Sequence, residues 1–298
     1  MILPAGENLY LVTSDNFTFC NSLLIEDEER GIIETGTEKH LIEKLAPSSM
    51  QTVWYTHHHF DHVRHNEYFP GAHISIHELD YPPLTGFELF FHYNSFDLWD
   101  ELMPGIDYEE ASMQAGLSKE EVLRSWHIDS TFKGGEERVS FGKTEMEILH
   151  TPGHSAGHCS FWFPRQELLF SGDICLTRVG PWYGEVYASP DEMIRSIDHL
   201  IELKPTYIAT SHIPQVCNNP VERLQEYRDR IFKREERIYY QLKKQPYDLH
   251  SLAQLGLIYK AHPIPFVLFW EKLILLKHLA RLQKEGLVEK EENGYYRA

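Results

Sequence analysis

Seven residues constrain this chain more than any others: Thr56-His57-His58-His59-Phe60-Asp61-His62. They follow QTVWYT, a β-branched and aromatic run that predicts a strand, and they precede a turn into a helix. The segment is therefore a strand-to-helix loop, the place where layered α/β folds put their sites. In extended backbone His57 and His59, at i and i+2, point the same way, whereas Asp61 and His62 can face a second position a few Å away. One loop can thus feed two metal ions.

The surrounding pattern predicts a layered α/β chain. NLYLVTS, FCNSLLIED and GIIETG read as an opening meander of strands, EKHLIEKLA as a helix, and QTVWYTH and GAHISIHE as further strands. Residues 80–126 break the rhythm with aromatic-rich segments and the helical SKEEVLRSW, which predicts a helical insertion. Strand signals return in TEMEILHT, HCSFWF and ELLFSGD, followed by the helix PDEMIRSIDHLIEL and the strand TYIATSH. After Pro220 the period is almost wholly helical, including SLAQLGLIYK, and closes on a hairpin-like EGLVEKEENGYYR. The expected division is a body over 1–220 and a small helical unit over 221–298.

Three more segments carry chemistry-bearing side chains at strand ends. They are Thr151-Pro152-Gly153-His154-Ser155-Ala156-Gly157-His158, Ser171-Gly172-Asp173 and Thr210-Ser211-His212. In this order HxHxDH, a lone histidine, a strand-end aspartate and a final histidine resemble the metallo-β-lactamase superfamily over about residues 7–215. The resemblance implies a four-layer αβ/βα sandwich with a dinuclear site on one edge. It assigns His57, His59 and His154 to one metal, Asp61, His62 and His212 to a second, and Asp173 as the bridge. Such a set suits two divalent ions, zinc first, with iron or manganese chemically admissible. The implied reaction is hydrolysis by a metal-activated hydroxide, with Asp61 as the catalytic group that orients it and takes its proton. His58 and His158 are expected around the ligands and not among them.

Two positions depart from the family pattern. Glu34 stands in Glu34-Thr35-Gly36 where relatives usually carry aspartate, which puts the usual contact to a ligand histidine in question. Arg64-His65 replaces a pair of glycines, so these side chains are expected either to narrow the site or offer charge to an anionic substrate, or to point to solvent. Trp182 and Tyr183, soon after Asp173, are the candidate walls of an apolar substrate pocket. For the insertion, packing of Leu89, Phe90, Phe96 and Trp99 onto the body is the favoured expectation.

Charge helps choose between substrates. The 298 residues carry a formal charge of -17. Residues 221–298 hold 15 basic and 11 acidic side chains, a balance of +4 that leaves -21 for the rest. An acidic body repels polyanions, and the basic residues of the tail are expected on a solvated helix face. Within the superfamily the motifs resemble the glyoxalase II and β-lactamase-like protein 2 branch, the latter also through a winged-helix-like tail. The expectation is a hydrolase of a small thioester, ester or lactone. A metal-dependent endoribonuclease and a non-catalytic metal-containing ligand-binding protein are the alternatives, and a homodimer remains open. The start MILPAGENLYLVTSDN lacks a leader pattern and no apolar run reaches the roughly 18 residues of a membrane span, so a cytoplasmic protein without membrane contact is expected. The four cysteines show no CxxC pairing and are expected as buried thiols.

Overall fold

The structure, a computed structural model, describes residues 1–14, 16, 18–116, 126–135 and 137–298. Most of the expected SKEEVLRSW helix lies outside the described residues. Two sheets face each other. The first holds β1 (Ile2–Gly6), β2 (Leu9–Val12), β3 (Ser22–Glu26), β4 (Arg30–Ile33), β5 (Thr52–Trp54), β6 (His73–His77) and β7 (Ser130–Phe132) in sequence order. Its first four strands form an antiparallel meander, and from β4 to β7 the pairing is parallel. The second runs β13 (Cys217–Asn218), β12 (Tyr207–Ala209), β11 (Leu168–Phe170), β10 (Cys159–Phe163), β9 (Glu145–His150) and β8 (Glu137–Ser140), with β11 and β12 its only parallel pair among the described residues.

Alternation along the strands builds the layers, because successive side chains leave opposite faces. Leu23, Ile25 and Ile33 point between the sheets, where they meet Ile148, Phe161, Leu168 and Phe170. Leu24 and Ile32 point outward into a second core with Val53, Ile74, Phe90, Phe96 and Trp99. On the far side Leu169 and Ile208 pack against Met193, Ile197 and Leu200 of the helix Pro190–Leu203. Helix, sheet, sheet, helix is the expected four-layer sandwich. The Pro190–Leu203 helix starts as its sequence demands, with Pro190 in the first turn and the Ser189 hydroxyl accepting from the Glu192 amide at 3.3 Å.

The insertion is helical over Phe87–Tyr93, Trp99–Leu102 and Tyr108–Gln114. Phe90, Phe96 and Trp99 are buried as expected, while Leu89 is 43% exposed and does not join them. The tail forms helices Val221–Lys244, Leu249–Ala253 and Pro265–Lys284 and then a two-stranded hairpin, Glu289–Lys290 with Tyr296–Arg297. The expected helix across SLAQLGLIYK stops early, with Gly256 at a positive φ of 62°. The tail shares its cores with the body. Phe266 and Phe269 join Phe96 and Trp99, whereas Ile231, Ile238, Leu275 and Leu279 join Met193 and Ile197. No helix among the described residues is long and apolar enough to cross a membrane.

Candidate metal centre

Parallel strands set the site. β4 and β5 end side by side, Ile33 opposite Trp54, and deliver Glu34 and the loop 55–62 to one edge. β11 and β12 do the same in the other sheet, Phe170 opposite Ala209, and Asp173 and His212 each lie three residues beyond. Gly172 makes the turn at φ 55°, where an added Cβ would stand 2.7 Å from His158 Nε2.

On one side of the centre His154 Nε2 lies 3.1 Å from His57 Nε2, 3.0 Å from His59 Nδ1 and 3.4 Å from Asp173 Oδ2. On the other, Asp173 Oδ1 lies 3.3 Å from both His62 Nε2 and His212 Nε2. Asp61 Oδ2 lies 3.5 Å from His212 Nε2 and 3.7 Å from His62 Nε2. Donors on a tetrahedral ion with bonds of about 2.0–2.1 Å stand about 3.3 Å apart, so these separations fit two ions sharing Asp173. The buried Asp173 Oδ1 and His62 Nε2 make no hydrogen bond among the described residues. Groups that converge without bonding one another fit a cation between them. All seven residues expected as ligands come together here.

Around them, other groups set ring orientation. His154 Nδ1 donates to the Trp182 carbonyl at 3.0 Å, and His57 Nδ1 pairs with Thr56 Oγ1 at 2.8 Å, which leaves each Nε2 for the centre. His158, expected to bond near the site, donates from Nδ1 to the Thr151 carbonyl at 3.0 Å and accepts the Asp173 amide on Nε2 at 3.1 Å. Glu34 keeps the contact its identity put in question. Its backbone, at φ 67°, places Oε2 3.2 Å from His62 Nδ1 while Oε1 accepts the Thr56 amide at 2.9 Å.

Burial drives His57 well below its usual range and His154 down to about 3, so both are neutral and carry a lone pair for metal. His62 and His212 behave oppositely. Burial works against their charge, but Glu34, Asp61 and Asp173 hold His62 well above its usual value, and Asp173 raises His212. Although desolvation opposes its charge, Asp173 is held well below the usual carboxylate range by His212, His62 and His154. Cys20 also converges on Glu34 and His62, but burial pushes its thiol well up, and a protonated thiol is a poor ligand. All four cysteines are buried free thiols.

Two carboxylates escaped the sequence reasoning. Glu185 is 2% exposed, bonds His59 Nε2 and stands 3.6 Å from His58 Nε2. Asp80 lies 3.1 Å from His58 Nδ1 and accepts from Ser155 Oγ at 2.6 Å and the Gly157 amide at 2.7 Å. Although burial opposes charge on both partners, Glu185 and Asp80 raise His58 to about 10, and His59 and His58 lower Glu185 to about 2. His58 is therefore a buried cation flanked by two carboxylates.

The expected substrate contacts fare unevenly. The Trp182 ring stands 5.4 Å from His154 and 5.5 Å from His59, at the centre's wall. Tyr183 turns away. It is fully buried, with its hydroxyl 2.9 Å from His278 Nε2 and 3.0 Å from Arg234 Nη1, because the tail offers polar partners that an apolar pocket would not. Arg64 lies over the rings of Phe19 and Phe60, at 4.5 and 4.2 Å, and donates to the Thr18 carbonyl at 3.1 Å. His65 pairs with the Thr37 carbonyl at 2.9 Å. Both side chains thus engage neighbouring groups of the protein.

The sequence profile of the metallo-beta-lactamase superfamily matches residues 15–212. The chain belongs to the metallo-beta-lactamase superfamily. Members of this superfamily bind divalent metal ions, in agreement with the clusters above. Among its relatives, a hydroxyacylglutathione hydrolase of Thermosynechococcus vestitus is 25% identical over 196 residues, covering 64% of this chain and 60% of the relative. A beta-lactamase-like protein 2 homolog of Caenorhabditis elegans is 29% identical over 170 residues, 57% of this chain and 54% of the relative. The match thus spans 54–60% of these curated relatives' length. A crystal structure of a metallo-beta-lactamase family protein from Thermus thermophilus superposes with a TM-score of 0.78 at 22% identity over 98% of both chains, which shows the shared fold including the helical tail.

Proposed function

We propose that the protein is a dinuclear metal-dependent hydrolase of a small carbonyl substrate, a thioester, ester or lactone. The observation that carries this is Asp173, whose two oxygens face two separate sets of imidazoles at 3.3–3.4 Å. Two bound divalent ions, zinc being the best match to five imidazoles and two carboxylates, would activate water and polarise the carbonyl. The chain's own residues do the rest. His57, His59, His154, His62, His212 and Asp173 would hold the ions. Asp61, whose side chain is 27% exposed and the most open of the set, orients the attacking water and accepts its proton. The Trp182 ring offers an apolar face beside His59 for the acyl part.

The name of the hydroxyacylglutathione hydrolase relative supports an acylated thiol as substrate. A nuclease reading is weaker because the body is acidic and several of the tail's basic side chains are spent inside the protein. Arg230, Arg234, Lys272 and Lys277 donate to backbone carbonyls of the body, while Lys233, Arg237, Lys243, Lys244 and Lys284 lie exposed on the helices, as expected of a solvated face.

The test is metal analysis of protein purified without added metal, followed by assays on thioesters, esters, lactones, phosphodiesters and β-lactams. Two ions per chain and turnover of a carbonyl substrate, lost in Asp61→Ala and His59→Ala, are expected. Loaded protein that turns over only a phosphodiester, or nothing, would overturn the proposal.

A further inference from the structure

Residues 173–188 carry the bridging Asp173, the Trp182 wall and Glu185, yet contain neither helix nor strand. A buried irregular segment must find partners for its carbonyls outside regular structure. Here they come from the two long helices of the tail. Arg230 Nη1 donates to the carbonyls of Thr177, at 2.8 Å, and Arg178. Arg234 donates to the carbonyls of Val179, at 2.7 Å, and Pro181, and to the Tyr183 hydroxyl at 3.0 Å. Lys277 Nζ donates to Val186 O at 3.1 Å and Ala188 O at 2.8 Å.

Arg234 occupies the middle of this set and is 1% exposed. It makes no ion pair with a carboxylate among the described residues, so its planar fork is committed to the loop. Gly180, at φ 99°, gives it room, since a Cβ there would sit 3.0 Å from Arg234 Nη2. The Trp182 carbonyl lies between the two residues Arg234 grips, Pro181 and Tyr183, and it takes the Nδ1 proton of His154.

We propose that Arg234 is a positioning residue for the metal centre. It fixes the 179–183 loop so that the Trp182 carbonyl orients His154, whose Nε2 then faces His57, His59 and Asp173. The tail is on this account part of the site. The proposal rests on the metal-centre reading above and concerns only the ion held by His57, His59 and His154.

The experiment is zinc binding to chelator-treated full-length protein, measured by competition with a chromophoric chelator, for wild type, Arg234→Lys and, as a control on the same helix, the exposed Arg237→Gln. Lysine keeps the charge but cannot span both carbonyls. The expected result is a cooperative melt for Arg234→Lys with about ten-fold weaker binding of one ion, the low end for groups that orient metal ligands, and unchanged binding of the other and of the control. Both affinities within two-fold of wild type, or both falling by the same factor, would overturn it. If Arg234→Lys does not fold, Tyr183→Phe, which removes the hydroxyl shared by Arg234 and His278, is read by the same criteria with the same selective loss expected. Wild-type protein that binds no zinc would sink the metal-centre reading itself, and this proposal with it. Two ions in wild type with no selective loss sinks this proposal alone.

Discussion

Glu34 and His62 form a buried pair across the two loops of the first sheet, Oε2 3.2 Å from Nδ1, with both side chains excluded from solvent. Glu34 also accepts the Thr56 amide, so one carboxylate steadies both a ligand ring and the backbone that launches the histidine loop. Replacing it by alanine strands a buried imidazolium and a buried N–H. Glu34→Ala is expected to destabilise metal-free protein by about 3 kcal/mol, read from urea unfolding. A loss below 1 kcal/mol would show that the pair does not carry this weight.

Metal uptake is expected to release protons at neutral pH. In metal-free protein burial disfavours the charged imidazoles, but Glu34, Asp61 and Asp173 raise His62 and Asp173 raises His212, so protons reside there that ligation must expel. Apparent affinity therefore rises with pH. Calorimetric titration of zinc in two buffers of different ionisation enthalpy measures the release, and buffer-independent heats would contradict it.

The His58 and Glu185 pair gives metal-free protein a defined pH window. His58, raised to about 10, contributes fully below its unfolded value near 6.5 and fades as pH rises toward 10. Glu185, lowered to about 2, contributes fully above its unfolded value near 4.5 and fades as pH falls toward 2. The contribution of the pair is therefore greatest between about pH 4.5 and 6.5. In Glu185→Gln the stability difference from wild type is expected to peak in that window, and a difference constant from pH 4 to 9 would refute the assignment.

Trp99 joins the insertion to the tail, its ring centroid 4.8 Å from Phe266 and 4.9 Å from Phe269. Trp99→Ala is expected to cost about 4 kcal/mol through lost burial and the cavity left behind. Because the rings share one core, calorimetry is expected to show a single transition displaced downward, and an unshifted melting temperature would count against the shared core.

Much of this centre is legible in the sequence, for a physical reason. Strand ends place ligands through short-range spacing, so His57, His59, Asp61 and His62 announce themselves within one loop, and the Pro190–Leu203 helix is bounded by its own Ser189 cap. Glu185 sends no such signal, since its partner His59 is 126 residues away and its loop has no periodicity. Arg234 was hidden similarly, because on a helix rich in charge nothing local separates a buried guanidinium from a solvated one. Tyr183 misled because adjacency to Trp182 says nothing about which way consecutive side chains of an irregular loop turn.

The parallel pair β11 and β12 has a further consequence. Asp173 and His212 stand the same number of residues past paired strand ends, so the two spacers act as rulers of equal length. Substitution within them keeps the length, Gly172 apart, where a Cβ would meet His158 Nε2, whereas deleting or inserting one residue in 171–172 or 210–211 is expected to carry a ligand out of reach.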